Sequence, residues 1–265
     1  MKKINLNDGT LIYCLKETEA IVLDEHIKGY LDLGINIKEN DTIIDVGANI
    51  GVLGLRLSNK FQNINIYSLE PIPIIYDVLA KNAEMSFNEN FKTFQLGISN
   101  EAKKIIFTYY PNSPALSTSK PEIWENNSIS FLAAVEGSII NLPKKIWWAK
   151  LIPKILIPCI AKYLKSNKQQ IISEVITLSN LIENEKIKKI DLLKIDCEGE
   201  ELNVLNGIKR NHWLIIKSIV MEVCDINNNL EKSKKILSSN GFKNIKIEKE
   251  KGFEESQLHN IFATR

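Results

Sequence analysis

The segment that most constrains the fold begins at Thr42. Thr42-Ile43-Ile44-Asp45-Val46 is a short, mostly β-branched run that ends in Gly47-Ala48-Asn49-Ile50-Gly51 and opens into a helical stretch reaching Phe61. A brief apolar run of this kind reads as a strand covered on both faces. Its glycines let the backbone turn tightly and approach a ligand at the strand's carboxyl end. The rhythm repeats along the chain. Residues 64–69 form a second run ending in Glu70-Pro71, a helix follows from about Pro73 to Met85, and residues 92–96 form a third run ending at Gly97. This βαβαβ order specifies a parallel sheet with crossover helices.

The same order resumes after residue 175. Residues 191–196 read as a strand running into Cys197-Glu198-Gly199, followed by a helix to Gly207. Another strand spans 218–223, a helix spans 229–239 and stops at Asn240-Gly241, and two strands lie near 243–249 and 258–264. The close spacing of the last two implies an antiparallel finish. Before the core, Asn7-Asp8-Gly9-Thr10 reads as a hairpin turn. Residues 18–34 then carry Ile21, Val22, Ile27 and Tyr30 at helical spacing, between a Thr18 cap and Gly34. The expectation is one domain over 1–265, with an N-terminal hairpin and helix in 1–40.

The rhythm fails between the halves. After a strand at 103–110 comes an excursion, about 111–174, that holds three of the four tryptophans and six of the eight prolines. Residues 131–170 carry seven lysines and one glutamate, so they are +6 in a chain whose net charge is +2, and the remainder is −4. A near-neutral whole argues against a general nucleic-acid binder. Four scattered cysteines without a CxxC spacing fit a reducing, cytoplasmic setting. The lysine-bearing N-terminus lacks the apolar core of a secretory signal, and no run approaches the ~20 apolar residues that span a bilayer.

Two cofactor types use a strand–glycine turn–helix: a nicotinamide dinucleotide and S-adenosylmethionine. Asp45 would repel a pyrophosphate and attract an ammonium group. The G-x-G-x-x-G spacing is missing, because Gly47 and Gly51 are separated by Ala48-Asn49-Ile50. Glu70 ends the next strand about 20 residues on, where a carboxylate can accept both ribose hydroxyls. These details favour S-adenosylmethionine over an NAD-dependent oxidoreductase.

The stretches IIDVGANIG, LEP and IDLLKIDCEGEELNVLNGI resemble the FkbM-type methyltransferases over roughly 40–110 and 175–265. WLIIKSIVMEVCD and LHNIFATR are similar to O-methyltransferases of polyketide and nonribosomal-peptide pathways. The resemblance implies an α/β Rossmann-like class I methyltransferase fold, with a mostly parallel seven-stranded sheet, an antiparallel last strand and an inserted lid subdomain. It implies methyl transfer to a hydroxyl oxygen of a natural-product intermediate or a sugar, without an obligatory metal. By position, Asp45, Gly47, Asn49 and Gly51 would hold the methionine end of S-adenosylmethionine. Glu70 would hold the ribose, Gly97 with Ile98 would flank the adenine, and Pro71 would also border the cofactor.

Methyl transfer to a hydroxyl needs alignment and removal of a proton. Asp196, Glu198, Glu222 and Asp225 place four carboxylates at two neighbouring strand ends. Asp196 suits cofactor or acceptor contact, and Glu198 suits acceptor contact or a helix N-terminus. In the resembled enzymes the strand-five motif often reads E-V-H-D, and its histidine would be the proton acceptor. Here it reads Glu222-Val223-Cys224-Asp225, so the base falls to Glu222 with His259, Cys224 has an altered role, or the fold is a non-catalytic binding module. His26 reads as a surface residue on the early helix and His212 as a loop group. The carboxylates lack a distinctive metal-ligand spacing, so no metal is assigned.

Tyr109 through Ser119 resembles the Y-P-N…S-T stretch of the same enzymes, which makes Tyr110 and Ser117 acceptor-side candidates. Residues 139–165 are apolar, aromatic and basic, with Pro143, Pro153 and Pro158 breaking any long helix. They read as a lid over an apolar pocket, as a peripheral membrane contact, or as a dock for a carrier protein that presents the acceptor.

Overall fold

The computed structural model describes residues 1–32, 36–125, 128–140, 142, 144–249 and 253–265. Gly34 and Pro143, read above as helix-stopping positions, lie outside the described residues. Strands β1 (Lys2–Asn5) and β2 (Leu11–Cys14) pair antiparallel around the Asn7–Thr10 turn. Helix α1 (Glu17–Asp32) follows and begins one residue before Thr18, which is therefore inside the helix rather than its cap. The first half of the core alternates β3 (Thr42–Val46), α2 (Val52–Lys60), β4 (Asn65–Leu69), α3 (Pro73–Met85) and β5 (Phe91–Phe94). Pro73 sits at the start of α3, where its missing N–H costs nothing.

Two short strands come next, β6 (Gly97–Ile98) and β7 (Lys103–Tyr109), and then the excursion. It contains α4 (Glu122–Glu125), α5 (Ser128–Ile140), tight 3-10 turns over Lys144–Leu151 and Lys154–Leu156, and α6 (Ile157–Leu164). Strand β8 (Gln169–Ile176) then pairs antiparallel with β7 and parallel with β6 in a separate three-stranded sheet. The alternating run 169–176 thus belongs to a sheet, and the excursion closes at 168 rather than near 174.

The second half is α7 (Leu178–Asn184), β9 (Leu192–Ile195), α8 (Glu201–Asn206), α9 (Arg210–Trp213), β10 (Ser218–Cys224), α10 (Asn229–Ser239), β11 (Asn244–Glu248) and β12 (Leu258–Thr264). A capping box between Thr177 and Asn180 starts α7. The main sheet has seven strands in the order β11-β12-β10-β9-β3-β4-β5. Strands β10, β9, β3, β4 and β5 run parallel, and β12 lies antiparallel between β10 and β11. This is the class I methyltransferase arrangement, a mostly parallel sheet with one reversed strand.

Alternation along the strands divides the core. Ile43, Ile66, Leu192 and Val220 face α1, α2 and α3, while Ile44, Leu193, Ile219 and Met221 face α7, α8 and α10. A third, smaller cluster joins Tyr110, Trp124, Phe131 and Ile157 of the excursion to Cys224 at the end of β10. Among the described residues, no helix is long and apolar enough to cross a membrane.

Candidate active site

Strands β3 and β9 are neighbours, although their connections depart toward opposite sides of the sheet. In open α/β sheets a ligand crevice forms at the carboxyl ends of such a pair. A cleft of about 1390 Å³, counting its open mouth, lies there. Its lining joins the turn after β3, Glu70–Ile72, His26 of α1, Asp196–Glu198 and Glu222, and the excursion adds Trp124, Ala134 and Ser138 as a roof. None of residues 139–165 borders the cleft among the described residues, so the roof is the earlier part of the excursion, not the segment read as a lid.

The glycine turn is built for close approach. Gly47 sits at φ +73°, and a Cβ there would lie 1.9 Å from the Asp196 carbonyl oxygen, so β3 and β9 can meet only with glycine at this position. The Asn49 N–H donates to Glu70 Oε2 (3.2 Å) and the Ile72 N–H to Glu70 Oε1 (3.0 Å), which fixes the carboxylate at the end of β4. Burial pushes Glu70 up to about 7, against the pull of those two donors and the Lys194 charge. Pro71, Gly97 and Ile98 border the cleft beside it. Gly51 does not. Its missing Cβ would meet Leu79 Cδ1 at 2.6 Å, so this second glycine seats α3 against the turn and faces no ligand.

Asp45 also departs from its expected place. It is 1% exposed and does not border the cleft. Register sets Lys194 beside it on the same face, with Nζ 3.1 Å from Asp45 Oδ1 and 3.5 Å from Asp196 Oδ2. Lys194 also donates to the Gly47 carbonyl at 2.9 Å. Burial opposes the ammonium, but Asp45 and Asp196 outweigh it and hold Lys194 above the usual lysine range. The cation that Asp45 attracts is therefore built into the protein, and Asp196 is the carboxylate left to meet a ligand. Lys194 escaped the sequence reading, although a lysine inside the run Leu192-Leu193-Lys194-Ile195 was its signal.

Elsewhere in the lining, the structure exchanges one histidine for another. Glu222 pairs in register with Asn260, and Val223 with His259. Cross-strand partners share a face, so His259 projects on the side of the sheet opposite Glu222; its Nδ1 lies 3.0 Å from the Gln257 carbonyl. It does not border the cleft. His26 does, with Nε2 3.7 Å from Glu222 Oε2 and its ring stacked at a tilt on Tyr30, centroids 4.6 Å apart. The residue read as a surface histidine thus faces the strand-five glutamate. His212 likewise is no loop group. It lies buried in α9, with Nδ1 2.9 Å from Ser179 Oγ.

Cys224 occupies the position of the family histidine. Burial, then the charges of Glu198, Glu201 and Glu222, push its thiol up to about 12, so it stays protonated and packs in the third cluster. Asp225 accepts the Leu230 N–H (3.0 Å) near the start of α10, a structural role. Tyr110 is fully buried in the third cluster and does not reach the cleft, which removes it as an acceptor contact. Ser117 does border the cleft, while its Oγ accepts the Tyr110 N–H at 3.2 Å.

Glu198 sits at φ +54° in a turn that the excursion grips. Thr118 Oγ1 donates to its carbonyl (2.6 Å) and Lys120 Nζ to that of Gly199 (2.7 Å). Burial, followed by Glu222, Asp196 and Glu201, pushes its carboxyl well above the usual range. Asp196, Glu198 and Glu222 bring carboxylate oxygens within 4.8 Å of one another. Of the four carboxylates read at these two neighbouring strand ends, three thus converge, while Asp225 turns to the Leu230 N–H.

Comparison with known proteins adds to this geometry. A sequence model described as "Methyltransferase FkbM domain" matches residues 45–245, from the β3 carboxylate to the start of β11. The chain belongs to the FkbM methyltransferase family. Methyltransferase sdnD of Sordaria araneosa is 30% identical over 213 residues, 78% of this chain and 75% of that protein. Methyltransferase 1 of Beauveria bassiana is 26% identical over 246 residues, covering 91% and 89%. The 31-O-demethyl-FK506 methyltransferase FkbM of Streptomyces tacrolimicus is 26% identical over 268 residues, covering 100% and 97%. The chain is accordingly an S-adenosylmethionine-dependent methyltransferase.

Proposed function

We propose that this methyltransferase acts on a hydroxyl oxygen of a small, largely apolar natural-product intermediate. The observation that carries the reading is the His26–Glu222 pair, which shares one cleft with the glycine turn and Glu70. The residues fit the methyl donor: Gly47 and Asn49 of the turn border the cleft, and Glu70 offers a buried, fixed carboxylate beside them. Gly47, Asn49 and Asp196 would hold the methionine end, Glu70 the ribose, and Pro71, Gly97 and Ile98 the adenine. When bound, S-adenosylmethionine supplies a methyl group on a cationic sulfur.

The chain's own residues must position the acceptor and take its proton. Imidazole is the side chain that exchanges a proton near neutral pH, which suits it to this task. Glu222 orients the His26 ring, and His26 accepts the hydroxyl proton. Glu198, whose carboxyl is pushed above the usual range by burial and then by Glu222 and Asp196, borders the cleft beside the acceptor position. Ile27, Leu116 and Trp124 supply an apolar boundary that excludes water and selects an apolar acceptor body. The name of one relative describes methylation at an oxygen of FK506, which agrees with oxygen as the target.

Calorimetry with S-adenosylhomocysteine tests the cofactor side. Glu70→Ala should weaken binding about tenfold or more, as loss of a charged hydrogen-bond partner does. Unchanged affinity would remove Glu70 from the ribose site. Mass spectrometry of products formed with a deuterated methyl donor, over a panel of hydroxyl compounds, tests the acceptor atom. Methylation confined to nitrogen or carbon would overturn the oxygen assignment.

A further inference from the structure

The excursion has an outer surface that the cleft does not use. Trp147, Trp148, Leu151 and Ile155 are 61%, 60%, 67% and 82% exposed. Seven of the fourteen large apolar side chains exposed among the described residues fall between Ile140 and Tyr163. Soluble surfaces scatter such residues singly, and a concentration of them marks a surface that meets something. Lysines 150, 154 and 162 are exposed in the same stretch. No acidic residue occurs between Glu136 and Glu174, and Glu136 is itself paired with Lys154.

We propose that residues 147–163 are a docking face for an anionic lipid surface. The charge complementarity is local, since these residues lie in the +6 stretch of a chain that is otherwise −4. The distribution of apolar groups favours lipid over a protein groove. Successive short 3-10 turns, separated at Pro153, carry large apolar side chains that stand singly exposed. Tryptophan and tyrosine prefer the headgroup level, and lysine stems let the ammonium reach lipid phosphates while the chain lies flat. On α6, Ile157 and Ala161 are buried against the third cluster and Lys162 and Tyr163 are exposed, so the helix binds the fold with one face and shows the other. This surface lies apart from the cleft lining, so the inference stands whatever the acceptor is.

Cosedimentation with vesicles tests it. Phosphatidylcholine vesicles with about 30 mol% phosphatidylserine should bind the full chain about tenfold or more tightly than phosphatidylcholine alone, and raised salt should weaken the binding. Tryptophan emission should shift to the blue on binding, since Trp147 and Trp148 are exposed while Trp124 and Trp213 are already buried. The double variant Trp147→Ser/Trp148→Ser and the double variant Lys150→Glu/Lys162→Glu should each lose about tenfold in vesicle affinity. Both should bind S-adenosylhomocysteine as the parent chain does, which shows that they are folded. Equal binding to both vesicle types, or no binding to either, overturns the proposal. So does capture by an acidic carrier protein without vesicle binding, or a concentration-dependent dimer that buries the tryptophans.

Discussion

Lys194 is nearly buried in a parallel sheet, between two carboxylates, and its ammonium also bonds the backbone of the ligand-binding turn. A buried pair of this sort adds little over an apolar pair, yet removing one partner strands the other. Lys194→Met should therefore destabilise the protein by roughly 3–5 kcal/mol, and adding Asp45→Asn should recover most of the loss. Urea unfolding of the two variants checks this; a stable single variant would mean that Asp45 does not need its counter-charge. Glu70 shows the opposite compromise, a carboxylate kept where its charge is costly. Its pKa, like that of Glu19, which accepts the Ala115 N–H, is raised by burial to about 7. The folded chain then binds more protons than the unfolded chain between about pH 4.5 and 7, so the stability these groups contribute is full below that window and is lost as pH rises through it. Glu70→Gln should flatten part of this decline, measured as unfolding free energy at pH 5 and pH 8. An unchanged pH dependence would place Glu70 in a solvated setting.

At the scale of elements, α1 lines the cleft and is not an N-terminal accessory. Arg56 of α2 binds Asp24 on α1 and Asp8 in the hairpin turn, which ties the early elements to the core. Replacing His26 by Ala should lower methyl transfer about 100-fold or more, the usual worth of a general base, while S-adenosylhomocysteine affinity stays unchanged. Adding Cys224→His should restore part of the rate by placing a ring at the end of β10. A fully active His26→Ala protein would give the proton to another group. Helical periodicity could not foresee the role of His26, because it reports which face of a helix is apolar and not what a strand some 200 residues later presents to it. The same limit explains His259. Its neighbours showed a strand, but only the pairing Val223–His259 shows on which side of the sheet it projects. By contrast, α3 and α10 occupy the spans read from their punctuation, Pro73 at one start and Asn240-Gly241 at the other end.

Across the whole molecule, the parallel core was legible because β3, β4 and β9 each end in a marker of their own: Gly47, Glu70-Pro71 and Asp196. Those markers border the cleft, so the fold and the candidate site could be read together. The excursion was less legible because proline breaks and local turns carry no single period. Its closing strand β8 was lost in the surrounding polar and basic residues. The bland net charge of +2 also concealed a division of labour, with carboxylates gathered at strand ends and lysines on an outer face. One feature of that excursion bears on how such a chain diversifies. It departs after Tyr109 and returns at Gln169, which face each other as the last pair of one antiparallel ladder. Entry and exit are therefore side by side, and the segment between them is a cassette that can be exchanged at a fixed junction. So long as its underside still fits Cys224, the roof and outer face can change by replacement while the methyl-donor floor changes only residue by residue. Two histories of sequence change can thus be carried on one chain.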